Sequence, residues 1–343
     1  MASQIFTKGW PYAAIILAHI IWGVNFVIVK LTIQEIPPMS LAFIKFTAAA
    51  LFLLPFLFIA REAPWSNLCK ICKFLPKGKE PQKTSMDLME GQTQNLIAKE
   101  DFLKIVAVGV LMITLNTAFF FMGLERTTVA SASILTLIIP VISILVGWTI
   151  LREKVYVVNV FGALSGLAGT IAVLGIPLIS IGAGLSASTM VGNFLIILAA
   201  VCWVAGAMIS KQLLQKYSTL TISFLIFCVG SVSFLIPAIN EFFQNPGWYL
   251  HVTYLGIFGV LYMTLASSIC GYFLFTWGLD QIGITKADFF QYLEPVIAIS
   301  LGILTLGEQL RFSYVIGAIL IMLGAYWSTL AKIPHKHHRA HRH

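Results

Sequence analysis

The few side chains in this sequence that can do chemistry stand inside apolar runs. The densest group is Asp288-Phe-Phe-Gln-Tyr-Leu-Glu-Pro, ending at Pro295. On a helix Asp288, Gln291 and Tyr292 fall at i, i+3 and i+4 and share one face. Glu294 follows three residues after Gln291, directly before the proline. An ionisable group at membrane depth costs about 2.5–3.5 kcal/mol on insertion scales, so it faces a bundle interior or a wet cavity. Two positions stay open for Asp288: that cavity, or the headgroup region, where it caps backbone N–H groups.

A second group recurs every three residues: His19, Trp22 and Asn25 cover one side of a helix. His19 is the one His within a span and can titrate near neutral pH; it lines a cavity or hydrogen-bonds a neighbouring helix. Asn116, Trp203 and Tyr272 are further candidates, Trp203 repeating Trp22 in the second half. These residues together form the candidate substrate-binding set. Asp288, Glu294 and His19 are the candidates for proton coupling, because each changes charge with access to either side. Ser131, Ser133, Thr136, Ser267 and Ser268 read as groups that satisfy helix carbonyls. Lys45 is an anomaly in an apolar run, eight residues after Pro37. It either snorkels to the surface or pairs with a carboxylate such as Glu35. Carboxylates in the site lean towards a zwitterionic or cationic solute.

The elements that position these groups follow from composition. The chain is 58% hydrophobic and 10% charged, with mean hydropathy +0.89, where soluble domains carry about a quarter charged residues. The expectation is an all-α polytopic membrane protein with ten transmembrane helices. They fall near 11–33, 37–60, 102–124, 127–151, 155–176, 190–213, 219–239, 252–278, 284–307 and 312–331, each close to the length that spans a bilayer. With both termini on one side, only Lys30, Arg126 and Arg311 of the 22 Lys and Arg reach the other side, and Lys45 lies inside a span. That asymmetry puts both termini in the cytoplasm, in an inner or plasma membrane. The basic residues lie in loops and a tail, so the net charge of +8 reflects topology rather than nucleic acid. Lys8 precedes a full-length span, not the short apolar stretch and cleavage site of a signal peptide.

The sequence repeats. Shifted by 155 positions, Gly123-Leu124 falls on Gly278-Leu279, Pro140-Val141 on Pro295-Val296, Glu153 on Glu308 and Gly169 on Gly324. A shift of 181 puts Trp22 on Trp203 and Lys30 on Lys211. The reading is a first unit over 1–175 with a polar cytoplasmic loop at 61–101, a linker at 176–189, a second unit over 190–331 and a basic tail at 332–343. Five spans per unit is odd, so the two units are inverted, as in many secondary transporters. Pro140 and Pro295 are equivalent, and a mid-span proline bends a helix and frees the carbonyl four residues earlier. Gly162, Gly166, Gly169, Gly317 and Gly324 allow close helix packing.

No enzyme signature competes: there is no P-loop and no His-Glu-x-x-His, and no nucleophile–base pair. No cofactor is expected. Cys69 and Cys72 have zinc-ligand spacing but lack a second pair, and Cys202, Cys228 and Cys270 read as small buried hydrophobes. The His-rich tail from His335 to His343 reads as a flexible basic end. No metal is expected.

At Leu293-Glu294-Pro295-Val296, Leu306-Gly307-Glu308 and Ile316-Gly317-Ala318, with a weaker version at Pro140-Val141, Arg152-Glu153-Lys154 and Phe161-Gly162-Ala163, the chain resembles the EamA-type transporters of the drug/metabolite transporter superfamily. The resemblance implies two inverted five-helix repeats around a central cavity. It also implies export of amino acids or other small metabolites by alternating access, often with protons. The first repeat has Ile139 where the second has Glu294, so a symmetric pair of carboxylates is not expected. The competing readings are an uncoupled facilitator of small solutes and a non-transporting scaffold or receptor. The expected partners are a small-molecule substrate, the lipid bilayer and protons.

Overall fold

The computed structural model describes residues 2–62, 98–139, 142, 157–174, 186–214, 216–275, 278, 290–309 and 312–330. Asp288, Pro140, Glu153, the Cys69–Cys72 pair, the His-rich tail and nearly all of the 61–101 loop and the 176–189 linker lie outside the described residues.

Among the described residues there is no strand. The helices are α1 (Ala2–Thr32), α2 (Pro38–Glu62), α3 (Lys99–Arg126), α4 (Val129–Thr136), α5 (Val157–Leu174), α6 (Ala187–Leu213), α7 (Thr219–Gln244), α8 (Tyr254–Phe275), α9 (Leu293–Leu306) and α10 (Phe312–Leu330). Six of them, α1, α2, α3, α6, α7 and α8, contain stretches long and apolar enough to cross a membrane; Val160–Val173, Leu293–Leu306 and Phe312–Gly324 are shorter apolar stretches.

Large apolar side chains cover the outside: Ile236 is 77% exposed and Leu304 79%. In water such a surface would aggregate; against lipid it costs nothing, because lipid tails are as apolar as leucine. Cohesion then rests on close packing and polar ties. A Cβ on Gly169 would lie 2.7 Å from the Gly317 carbonyl oxygen, and one on Gly324 2.5 Å from that of Gly162, so α5 and α10 touch backbone to backbone. Ser165 Oγ also donates to Leu320 O at 2.8 Å. On α2 and α7, Phe46 lies against Phe227 and Phe234, with Thr47 Oγ1 2.6 Å from Ser231 Oγ.

Helix starts are capped as a bilayer demands, where every backbone group needs a partner. Thr128, Ser186, Ser218 and Thr253 each accept a backbone N–H in the first turn of α4, α6, α7 and α8. Carboxylates from distant helices add to this. Glu308 accepts from Val129 N at 2.7 Å and Ala130 N at 3.0 Å, tying α9 to α4. Glu241 accepts from Met39 N and Ser40 N at 3.0 and 2.7 Å, tying α7 to α2. Lys30 Nζ serves the opposite kind of end, donating to Leu124 O at 2.6 Å and Thr127 O at 2.8 Å where α3 finishes. Gly307, at φ 64°, ends α9 and turns the chain so that Glu308 reaches α4.

Two helices locally widen into π-helix: α3 over Gly109–Leu115 and α8 over Tyr262–Gly271. Carried forward by 155 positions, 109–115 falls on 264–270, inside the second π segment.

The ninth segment and Lys45 depart from what their sequence suggests. Phe290–Tyr292 is a 3-10 turn and α9 begins at Leu293, so Pro295 stands in the first turn rather than mid-helix. The reason is chemical: Pro295 has no N–H to give the Gln291 carbonyl, so an α-helical ladder cannot run back through it, and the chain tightens instead. Gln291 therefore lies in that turn, half-buried, and only the backbone of Tyr292 is described. Lys45 neither pairs with Glu35 nor snorkels. Glu35 instead accepts from Thr253 N and Oγ1 at 2.8 and 2.7 Å, and Lys45 is 9% exposed.

Candidate functional site

His19 sits on the inward side of α1, at 2% exposure, and Glu294 in the first turn of α9, at 8%. Their Nδ1 and Oε1 atoms are 2.7 Å apart. The approach is possible because Gly23, one turn further along α1, lets the two helices close: a Cβ there would lie 2.9 Å from Ile297 Cβ and 3.1 Å from the Glu294 carbonyl oxygen. The N-terminus of α9 turns the positive end of its dipole towards the carboxylate. Trp22 and Phe275 meet the imidazole edge-on at 5.4 and 5.6 Å, and its Nε2 is buried with no hydrogen-bond partner among the described residues. One ring nitrogen is thus committed to the carboxylate and the other is left open.

Beside this pair lies a cavity of about 140 Å³ between α1, α2, α3, α6, α7 and α8. Four residues from the sequence-derived set line it: Trp22, Asn116, Trp203 and Tyr272. Trp22 Nε1 donates to Ser267 O at 3.2 Å, a carbonyl inside the π segment of α8. Asn116 Nδ2 donates to Ala199 O at 2.9 Å, fixing α3 against α6. The π segments supply wall residues from both sides, Met112 and Ile113 from α3 and Ser267 and Ser268 from α8. Such bulges concentrate at functional sites, because the wider turn redirects side chains and backbone acceptors.

His19 and Glu294 abut the cavity through Trp22 without lining it. Asn25 lies further along α1, its Oδ1 buried and unpartnered among the described residues. Sequence reasoning left Lys45 out of the site, although it lines the cavity. The available signal was its solitude in an apolar run. Among the described residues no cluster of His, Cys, Asp or Glu could hold a metal ion.

These observations define a multi-pass helical membrane protein with a small cavity, largely apolar with a few polar groups, between its helices. The chain belongs to the EamA-like transporter family, which it matches over residues 9–75, 87–175 and 190–330, as the drug/metabolite transporter resemblance anticipated. It is similar to an uncharacterized transporter of Archaeoglobus fulgidus, 25% identical over 314 residues, 91% of this chain and 95% of that one. The uncharacterized transporter YoaV of Bacillus subtilis is 24% identical over 92% of this chain and 95% of its own. The WAT1-related protein At3g18200 of Arabidopsis thaliana is 24% identical over 68% of this chain and 65% of its own. A protein of known crystal structure shares the fold at a TM-score of 0.53 and 18% identity, covering 93% of this chain and 96% of that one.

Proposed function

We propose that the protein is a secondary transporter of the cell membrane that exports a small metabolite by alternating access, coupled to protons through His19 and Glu294. The observation that carries this is the buried His19–Glu294 pair at 2.7 Å beside a cavity that has Lys45, Asn116 and several hydroxyl residues in a largely apolar wall. With neutral His19 and ionised Glu294 the pair bears one negative charge. One proton taken up by the imidazole makes it net neutral, which favours movement of the two helices through an apolar interior.

The inverted-repeat plan is supported by the two π segments that coincide under the 155-residue shift. With both termini cytoplasmic, the ties made by Lys30, Glu35, Glu241 and Glu308 all gather at the outer end. At the inner end, among the described residues, Asp101 gathers Lys216 and Tyr217.

The test is purified protein in liposomes with an imposed pH gradient and a pooled panel of small metabolites, contents read by mass spectrometry. Accumulation that needs the gradient supports a coupled carrier. Equal flux with and without it would make the protein a facilitator, and no flux of any solute would favour a non-transporting role.

A further inference from the structure

Among the described residues, Lys45 is the one formally charged residue that lines the cavity. Its side chain belongs to a residue 91% buried by its 9% exposure, and among the described residues no carboxylate lies within ion-pair distance. Three carboxylates of the bundle are engaged elsewhere: Glu35 by Thr253, Glu241 by Met39 and Ser40, and Glu294 by His19. What faces the ammonium is two aromatic rings, Phe46 at 5.0 Å and Phe121 at 6.0 Å from their centroids. Ring contact offsets only a small part of the cost of desolvating a cation. A buried ammonium without a counter-ion is a site waiting for an anion.

The rest of the wall agrees with that charge. Thr117, Ser223, Ser268 and Tyr272 place hydroxyls on the same cavity, and these can donate to an oxyanion. The volume of about 140 Å³ matches the roughly 150 Å³ that suffices for benzene in an engineered apolar cavity, so a ligand of about six non-hydrogen atoms fits.

We infer that Lys45 recognises an oxyanion of the transported solute, a carboxylate on a small organic acid or amino acid, and that solutes bearing only positive charge are excluded. This rests on the carrier reading above and narrows its substrate class. It also reverses the lean towards cations drawn from the carboxylates, since Glu294 is held by His19 and does not line the cavity.

The test reads binding separately from flux. Detergent-purified protein is unfolded thermally with alanine, pyruvate, alanine methyl ester, choline or inorganic phosphate. The expected result is stabilisation by alanine or pyruvate and none by the ester, which keeps the amine but lacks the carboxylate's negative charge, or by choline. Lys45→Met should weaken that binding roughly tenfold to a hundredfold, the worth of a charge-assisted hydrogen bond, and Lys45→Arg should keep most of it. Without ligand Lys45→Met should unfold no lower than the wild type, because it removes an uncompensated charge. Stabilisation by phosphate alone would keep Lys45 as an oxyanion site but assign it to an inorganic ion, overturning the organic substrate class. Equal stabilisation by acid and ester, stabilisation by choline, or no response to any probe would overturn the proposal on the wild type alone. Lys45-dependent binding without flux in liposomes would retain the site and remove the carrier reading. Flux of choline or the ester would do the reverse.

Discussion

His19 on α1 and Glu294 at the start of α9 hold each other inside the bundle, imidazole Nδ1 to carboxylate Oε1 at 2.7 Å, although 275 positions separate them in sequence. The contact joins the first segment of one half to the ninth segment of the chain. It is polar, buried and asymmetric, since Ala200 stands where the 181-residue shift would repeat His19 and Ile139 where the 155-residue shift would repeat Glu294.

Removing one partner of this pair should hurt more than removing both. His19→Ala leaves a carboxylate buried without a partner, a loss of about 3–5 kcal/mol. Glu294→Gln keeps an acceptor and should cost less. The double variant His19→Leu/Glu294→Leu should recover part of the loss, a coupling that a double-mutant cycle of thermal unfolding measures. Strictly additive effects would mean the two groups do not act together.

Glu308 and Glu241 each satisfy two backbone N–H groups at a helix start, Val129 and Ala130 for one and Met39 and Ser40 for the other. Replacing either with Ala should lower stability by about 1–2 kcal/mol, as for loss of an N-cap. The two sites share no partner, so their effects should add within about 0.5 kcal/mol. Thermal unfolding of the two single variants and the double variant checks both statements.

Two glycines give a contrast. A methyl group at Gly169 would meet the backbone of Gly317 and Ile321 at 2.7 and 2.8 Å, so Gly169→Ala must push α5 and α10 apart and should reduce the yield of folded protein sharply. Gly307 has open space around it and φ 64°. Gly307→Ala should cost only the left-handed strain, about 1 kcal/mol. Comparable losses at both positions would contradict the close α5–α10 contact.

At the other end of the bundle, the hydrogen bond from Lys216 Nζ to the Asp101 carboxylate, 2.9 Å to Oδ2, holds the Lys216 ammonium above its ordinary pKa. A cation whose folded pKa is raised contributes stability that is fully present below the unfolded value, 10.5, and is lost as pH rises through the folded one. Lys216→Met should therefore unfold below the wild type at neutral pH. The gap should close as pH climbs past 10.5, as read from unfolding temperatures across an alkaline series.

Much of this was legible in the sequence, for reasons particular residues make plain. Apolar run length set α2 near 37–60, against Pro38–Glu62, because a bilayer fixes span length. Trp22, Asn116, Trp203 and Tyr272 converge on one cavity, since polar and amphipathic groups in such runs must face inward. Pairings across the chain were not legible: nothing local to Glu308 says that it caps α4, and nothing local to Lys45 says that Glu35 is taken by Thr253. The π segments left no signal either. Their extra residue is accommodated by packing, as where Met112 meets Gly206, and no composition or period announces it. Pro295 was visible as a breaker, but its effect appears upstream, as the turn at Phe290–Tyr292.

The most direct test of the central claim is solute-evoked proton movement. Proteoliposomes loaded with a pH-sensitive dye are exposed to the metabolite pool with no imposed gradient, for wild type and Glu294→Gln side by side. Wild-type vesicles should show an internal pH change that follows solute entry and is abolished in the variant, while solute exchange across the variant's membrane persists. Solute movement with no proton signal in the wild type, or an equal signal in Glu294→Gln, would contradict it.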